Sequence, residues 1–175
     1  MDTEEDPIQS IDVVLTDEEM ALADHVAQER QRVQRGSGRR DAKVIESGLD
    51  ADVQGCRAEL AVSRAFNLAW DGKIFEIADW EKWRYLGHDV SGVEVRSTQH
   101  ENGRLILHPS DKDDSPYILV RAVNPPAFTI VGWCWGRTGK KDLYWHDVGY
   151  GRPCYYYPNV CLKPIGLLTS ILNIK

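Results

Sequence analysis

Two acidic residues, Asp89 and Glu94, flank a serine–glycine pair in the middle of the chain. This stretch predicts a β-hairpin with a two-residue loop, because glycine supplies the positive φ that tight turns require. Such a hairpin pairs Val90 with Val93 and sets the two carboxylates opposite each other, with Cβ atoms roughly 5 Å apart. Carboxylates at this spacing repel each other, so a divalent metal ion between them is one way to stabilise the arrangement.

A base lies on the same predicted face as the two acids. Arg96 follows Glu94 by two residues, and side chains two apart in a strand point to the same face. Val93 and Val95 then share the opposite face. One short ribbon therefore offers two acids and a base on a single surface, although an ordinary solvent-exposed strand with alternating charges gives the same pattern.

A third acid, Glu59, lies on a helix predicted from about Ala51 to Phe66. Glu59 shares the three- and four-residue spacing of Cys56 and Val62, which defines one face of a helix. This spacing places Glu59 at the margin of the apolar stripe. Because a charge is seldom buried without a partner, Glu59 either reaches water at that margin or belongs to a functional site.

The remaining elements set the frame around these residues. Thr16 and Glu19 form a predicted capping box, so a first helix is expected from about Asp17 to Val33 or Arg35. The order of helix, helix, several strands and a short C-terminal element predicts an α+β domain with a mixed β-sheet and flanking helices. The expected divisions are a disordered acidic head at 1–15, an N-terminal helix and basic linker at 16–43, and the α+β domain at 44–175.

Charge is distributed unevenly along the 175 residues, which together carry a formal net charge of −6. The first 24 residues hold nine acids and no base, and the rest of the chain holds 21 bases and 18 acids. The body is therefore slightly basic, at +3, which permits phosphate binding. No apolar run of about 18 residues predicts a membrane span. The expected location is the cytoplasm, and the four cysteines are expected to be buried free thiols because their spacing fits no zinc pattern.

The basic linker after the first helix is a candidate nucleic-acid contact. Its bases surround a glycine-rich break and include Arg35, Arg39, Arg40 and Lys43. A mobile basic arm of this kind binds phosphates. A solvated helix end whose bases complement the helix dipole is the alternative.

The set of Glu59, Asp89 and the triplet Glu94-Val95-Arg96 resembles the PD-(D/E)xK nuclease superfamily, in which an early helix carries a Glu and two strands carry Asp and Glu-x-Lys. The resemblance implies a restriction-endonuclease-like core, Mg²⁺ or Mn²⁺ held by the three acids, and DNA as substrate. It also allows a homodimer.

The chain is also similar, over roughly residues 50–165, to a narrower set of small, mostly phage-encoded proteins with this core. If the chain is phage-encoded, its expected location is the cytoplasm of the host. The matching segments are 55–62, 89–98, 103–106, 116–120 and 131–133.

Arg96 stands where that family has lysine. Arginine stays protonated at any useful pH, so it can clamp the scissile phosphate with parallel hydrogen bonds but cannot act as a general base. Gln99, three residues further on, is expected either to face the same pocket or to cap the strand end.

Three hypotheses about function follow from these residues. The first is a metal-dependent deoxyribonuclease, and the second is an inert module of the same fold that binds nucleic acid or a protein partner. The third is a regulatory protein whose acidic head mimics nucleic acid and binds a basic protein.

Overall fold

A computed structural model describes residues 9–36, 45–74, 88–149 and 151–172. The elements run in the order β1 (Ile11–Val14), α1 (Asp17–Gly36), α2 (Ile45–Phe66), β2 (Glu94–Thr98), β3 (Leu105–Leu107), β4 (Pro116–Asn124), β5 (Ala127–Trp135), α3 (Gly136–Gly139), β6 (Trp145–His146), β7 (Cys154–Tyr157) and α4 (Gly166–Ile171). The domain is mixed α+β, as the sequence predicts. Within the described ranges, no helix is long and apolar enough to cross a membrane.

Two β-sheets divide the interior into two cores. A four-stranded mixed sheet has the order β1-β5-β4-β2, with β2 parallel to β4 and the other neighbours antiparallel. Ile118 and Val120 of β4 face a core shared with the helices. Tyr117 and Leu119 alternate with them and face a second core, covered by the antiparallel sheet β3-β7-β6. Helices, large sheet and small sheet thus form three layers, with β2 at one edge of the middle layer.

The predicted helices form, and α1 belongs to the same core as the rest of the domain. The capping box is confirmed, because the Thr16 N–H donates to Glu19 Oε2 at 2.8 Å and the Glu19 N–H donates to Thr16 Oγ1 at 3.2 Å. Ala23, Val26 and Ala27 of α1 are buried in the helix-side core. The boundary predicted between residues 43 and 44 therefore does not separate two hydrophobic cores.

The predicted disorder at 1–15 is wrong for its last part. Residues 11–14 form β1, which pairs antiparallel with β5 at the edge of the large sheet. The cause is the alternation of Ile11 and Val13, which pack against the helix-side core while Asp12 and Val14 face outward. Residues 1–8 lie outside the described residues.

The thiols follow the sequence prediction in three of four cases. Cys56, Cys134 and Cys154 are buried and free, whereas Cys161 is free and exposed. Cys161 ends a short 3-10 turn, Asn159–Cys161, in which no residue is buried. A turn on the surface presents its side chains to solvent, and the apolar character of cysteine does not override that placement.

Candidate functional site

The predicted turn between the two acids forms, although its ladder is short. Val90 and Val93 make an antiparallel bridge, with hydrogen bonds of 3.2 and 2.8 Å in the two directions. Gly92 has φ of 82°, the positive value that the sequence predicts for this loop. Among residues 88–98, the bridge does not extend to a ladder pair between Asp89 and Glu94.

The side chain of Asp89 instead folds back over the edge of β2. Its Oδ2 accepts a hydrogen bond of 2.8 Å from the backbone N–H of Val95. This carboxylate therefore accepts the hydrogen bond of a backbone N–H at the sheet edge, where a neighbouring strand would otherwise supply the acceptor. About a third of the side chain, 31%, remains exposed.

The register of β2 decides which way its side chains point. Glu94 lies beside Tyr117 and Val95 beside Ile118 in the parallel pair with β4. Val95 is buried in the helix-side core. Glu94 and Arg96 therefore project to the opposite face, the one that carries Tyr117, as the period-two pattern predicts.

Glu59 approaches from the helix layer. It is 7% exposed, so it lies within the buried face of α2 and not at the margin where the sequence predicts it. Arg30 Nη1 donates to both of its carboxylate oxygens at 3.1 and 3.2 Å, and Trp70 Nε1 donates to Oε2 at 2.7 Å. Glu59 is thus a buried carboxylate with a charged partner, which is the only arrangement in which burial is tolerated.

Glu94 has two basic neighbours on its own face of β2. His88 Nδ1 lies 3.2 Å from Glu94 Oε1, and Lys112 Nζ lies 3.4 Å from the same oxygen. Burial alone would raise the pKa of Glu94. The hydrogen bond with His88 and the charges of Lys112 and Arg96 outweigh it, so the pKa of Glu94 is lowered overall.

Asp89 interacts electrostatically with both of the other acids. Burial raises the pKa of Asp89 most, repulsion from Glu59 and then Glu94 adds to the rise, and together they bring this pKa to about 7. Arg96 and the Val95 N–H act against the rise without cancelling it. Asp89 therefore feels the charge of both Glu59, which approaches from the helix layer, and Glu94 of β2. These three acids are here called the acid row.

The acid row suits a hard divalent cation in its chemistry. It offers carboxylate oxygens, the donors that Mg²⁺ and Mn²⁺ prefer, and repulsion from Glu59 and Glu94 adds to the effect of burial in raising the pKa of Asp89. As they stand, however, the described residues contain no group of three or more His, Cys, Asp or Glu side chains arranged to hold a metal ion. Two members of the row face basic partners, Arg30 and Lys112. Joint binding of a cation thus requires those partners to give way.

Arg96 is engaged by several groups of the protein. Its Nη2 donates to both carboxylate oxygens of Asp111 at 3.1 Å, and its Nη1 donates to the Val95 carbonyl at 3.1 Å. Nη1 also lies 3.6 Å from Asp89 Oδ2. The guanidinium carbon is 5.2 Å from the centroid of the Tyr117 ring. Arg96 is therefore an anchor within the protein, and its predicted contact with a phosphate stays a prediction.

Of the other predicted site residues, the structure describes Gln99 and the backbone of Arg35. Gln99 is exposed, one residue beyond the end of β2. A spacing of three residues along an extended chain puts side chains on opposite faces, which does not favour a place in the pocket for Gln99, and that place stays a prediction. Arg39, Arg40 and Lys43 lie outside the described residues. For Arg35 only the backbone, in the last turn of α1, is described.

Five residues at the site were not predicted from the sequence: Arg30, Trp70, His88, Asp111 and Lys112. Arg30, Trp70, Asp111 and Lys112 reach the acid row through the tertiary fold, of which local patterns carry no sign. His88 is different, because it directly precedes Asp89 and the predicted turn brings it to Glu94. Asp111 and Lys112 lie in the loop between β3 and β4 and meet β2 because it pairs with β4. That parallel pairing is the long-range contact that would have pointed to them.

Comparison with known proteins finds no match: no protein-family model, no curated protein and no solved structure matches the chain. The class of the protein therefore rests on the acid row and its surroundings.

Proposed function

We propose that the chain is a nuclease of the PD-(D/E)xK type that hydrolyses phosphodiester bonds of DNA with Mg²⁺ or Mn²⁺, on a restriction-endonuclease-like core. The observation that supports the proposal is that Asp89, held at the edge of β2 by the Val95 N–H, is repelled by both Glu59 of α2 and Glu94 of β2. Burial and this repulsion raise the pKa of Asp89 to about 7, and a divalent cation held by the three acids would relieve the repulsion.

The residues of the chain supply binding and charge for this reaction. Glu59, Asp89 and Glu94 would hold the cation, which when bound polarises a phosphoryl oxygen and lowers the pKa of a water molecule. Hydrolysis adds that water across one P–O bond and leaves a phosphate monoester and a free hydroxyl. Arg30 pairs with Glu59 and balances its charge.

The test is cleavage of linear, nicked and single-stranded DNA in Mg²⁺ or Mn²⁺, with EDTA as the blank. Asp89→Asn keeps an oxygen for the Val95 N–H but removes the charge, so we expect cleavage to fall by about 100-fold or more. Asp24→Asn is the matched control, because Asp24 pairs with Arg57 on the surface between α1 and α2. Cleavage that survives Asp89→Asn would remove the site assignment.

A second candidate function is an inert module of the same fold that binds nucleic acid or a protein. Two observations favour it: Glu59 and Glu94 already have basic partners, and arginine stands at position 96. Titration with Mg²⁺ by calorimetry separates the two candidates. Heat from the parent and none from Glu94→Ala supports the enzyme, whereas no heat and no cleavage together with retained DNA or protein binding supports the module.

A further inference from the structure

The loop between β3 and β4 carries a lysine to the acid row. The side chain of Lys112 is 25% exposed, and its Nζ lies 3.4 Å from Glu94 Oε1. An ammonium group on a flexible stem has three donors, so it can contact Glu94 and a second anion together. Residues 108–115 are here called the Lys112 loop.

The Lys112 loop is tied to the sheet by side chains of both charges. The backbone N–H of Lys112 donates to the Tyr117 hydroxyl at 2.9 Å. The carboxylate of Asp111 receives two hydrogen bonds from Arg96, and the Asp111 carbonyl accepts one of 2.5 Å from Lys140 Nζ. These contacts flank Lys112 on the chain and hold its backbone in place.

The same loop rests on the first turn of α3 at the level of the backbone. The Gly136 N–H donates to the Ser115 carbonyl at 3.0 Å, and the Arg137 N–H donates to the Asp113 carbonyl at 2.9 Å. A Cβ atom at Gly136 would lie 2.0 Å from the carbonyl oxygen of Lys112, so only glycine allows this approach. The fold thus presents Lys112 on a rigid support.

Arg96 and Lys112 both lie beside the acid row, but they differ in their contacts. Both nitrogens at the end of Arg96 already bind Asp111, Val95 or Asp89. We propose that Lys112, not Arg96, is the cation that contacts the phosphate of DNA, and that Arg96 is a positioning residue that holds Asp111 and with it the Lys112 loop. This inference rests on the proposed function for its substrate.

The first experiment measures cleavage in Mg²⁺ with Lys112→Met, Lys112→Arg and the control Lys141→Met, whose side chain is exposed on the surface. We expect Lys112→Met to lower cleavage by about 100-fold, Lys112→Arg to retain more activity because it keeps the charge, and Lys141→Met to match the parent. Circular dichroism and thermal melting check each fold, and Lys112→Gln replaces any Lys112→Met that does not fold.

The second experiment tests Arg96 through Lys112. If Arg96 acts only by positioning, Arg96→Met lowers cleavage in the parent but adds little in the Lys112→Met background, so the two effects are not additive. Fully additive effects would overturn the positioning role.

The third experiment measures binding without cleavage. A labelled 20-base-pair duplex is titrated in Ca²⁺ over a range of salt, and a gel verifies that it stays intact. Loss of one phosphate contact lowers the slope of log affinity against log salt by about 0.9, so we expect this change in Lys112→Met and not in Lys141→Met.

The outcomes separate this inference from the proposed function. A parent that cleaves DNA while Lys112→Met cleaves equally fast, or binds with an unchanged salt slope, overturns the inference alone. A parent that binds without cleaving, with the slope reduced in Lys112→Met, removes the nuclease and keeps the Lys112 contact. A parent that binds no DNA overturns both.

Discussion

Acids and bases meet at two places on α2, and the two places behave differently. On the outer side, Arg57 donates to both oxygens of Asp24 at 2.6 and 2.7 Å, and Arg64 pairs with Glu19. These two pairs, here called the helix seam, join α1 to α2. In the seam each acid has its own base. A backbone hydrogen bond from Thr16 and the contact with Arg64 lower the pKa of Glu19 despite some burial.

The acid row differs from the helix seam in the balance of its charges. Burial raises the pKa of Asp89 most, and repulsion from Glu59 and Glu94 brings it to about 7. Arg96, which lies 3.6 Å from Asp89, also pairs with Asp111. Among the residues that the structure describes, the two places therefore differ by a buried acid that shares its base and is repelled by two other acids.

The largest expected effect separates the two places by activity. Glu59→Gln removes an acid of the row but keeps an oxygen for Arg30 and Trp70, so we expect DNA cleavage to fall by about 100-fold or more. Glu19→Gln, in the helix seam, should leave the rate within about twofold, since glutamine also completes a capping box. Rates are measured on one linear duplex in Mg²⁺. Equal losses of cleavage in the two variants would contradict a specific role of the acid row in the reaction.

Removal of a base should lower the free energy of unfolding more at the acid row than at the helix seam. Arg30→Met leaves the buried carboxylate of Glu59 without a charge partner, which we expect to cost about 2–3 kcal/mol of unfolding free energy. Arg57→Met should cost about 1 kcal/mol or less, because Asp24 and Arg57 are 31% and 23% exposed and water replaces the lost contact. Urea denaturation measures both, and a larger cost for Arg57→Met would contradict the contrast.

The pH dependence of stability tests the charge balance at Asp89. Because the pKa of Asp89 is raised from 3.8 to about 7, the folded protein binds more protons than the unfolded chain between those values, and stability falls as pH rises through that window. Glu59, Glu94 and Arg96 face this carboxyl and set the size of the effect.

The matched variant isolates Asp89 from other titrating groups. Asp89→Asn should gain stability over the parent by about 2 kcal/mol between pH 4 and pH 8 in EDTA. One pKa unit corresponds to about 1.4 kcal/mol, and solvent screens part of the effect at a side chain that is 31% exposed. Asp24→Asn should show no comparable gain. A parent and an Asp89→Asn variant that differ by a constant amount at every pH would refute the raised pKa.

The sequence predicts those parts of the fold that depend on residues close together in the chain. The capping box at Thr16 and the glycine turn before Glu94 act within a few residues, and both form as predicted. The partners of the acids are different, because contacts such as Arg30 with Glu59 and Lys112 with Glu94 cross 29 and 18 residues of chain. Only the packing of α1 on α2 and the parallel pairing of β2 with β4 create them, and a single sequence contains no direct sign of either.

The smallest expected effect is that of a substitution at Gln99. Side chains alternate in an extended chain, so a residue three beyond Arg96 points away from the face of Arg96, and Gln99 is exposed beyond the end of β2. Gln99→Ala should therefore change cleavage by less than about twofold and unfolding free energy by about 0.5 kcal/mol or less. A tenfold fall in cleavage would return Gln99 to the site and show that the strand end turns toward the acid row when DNA is bound.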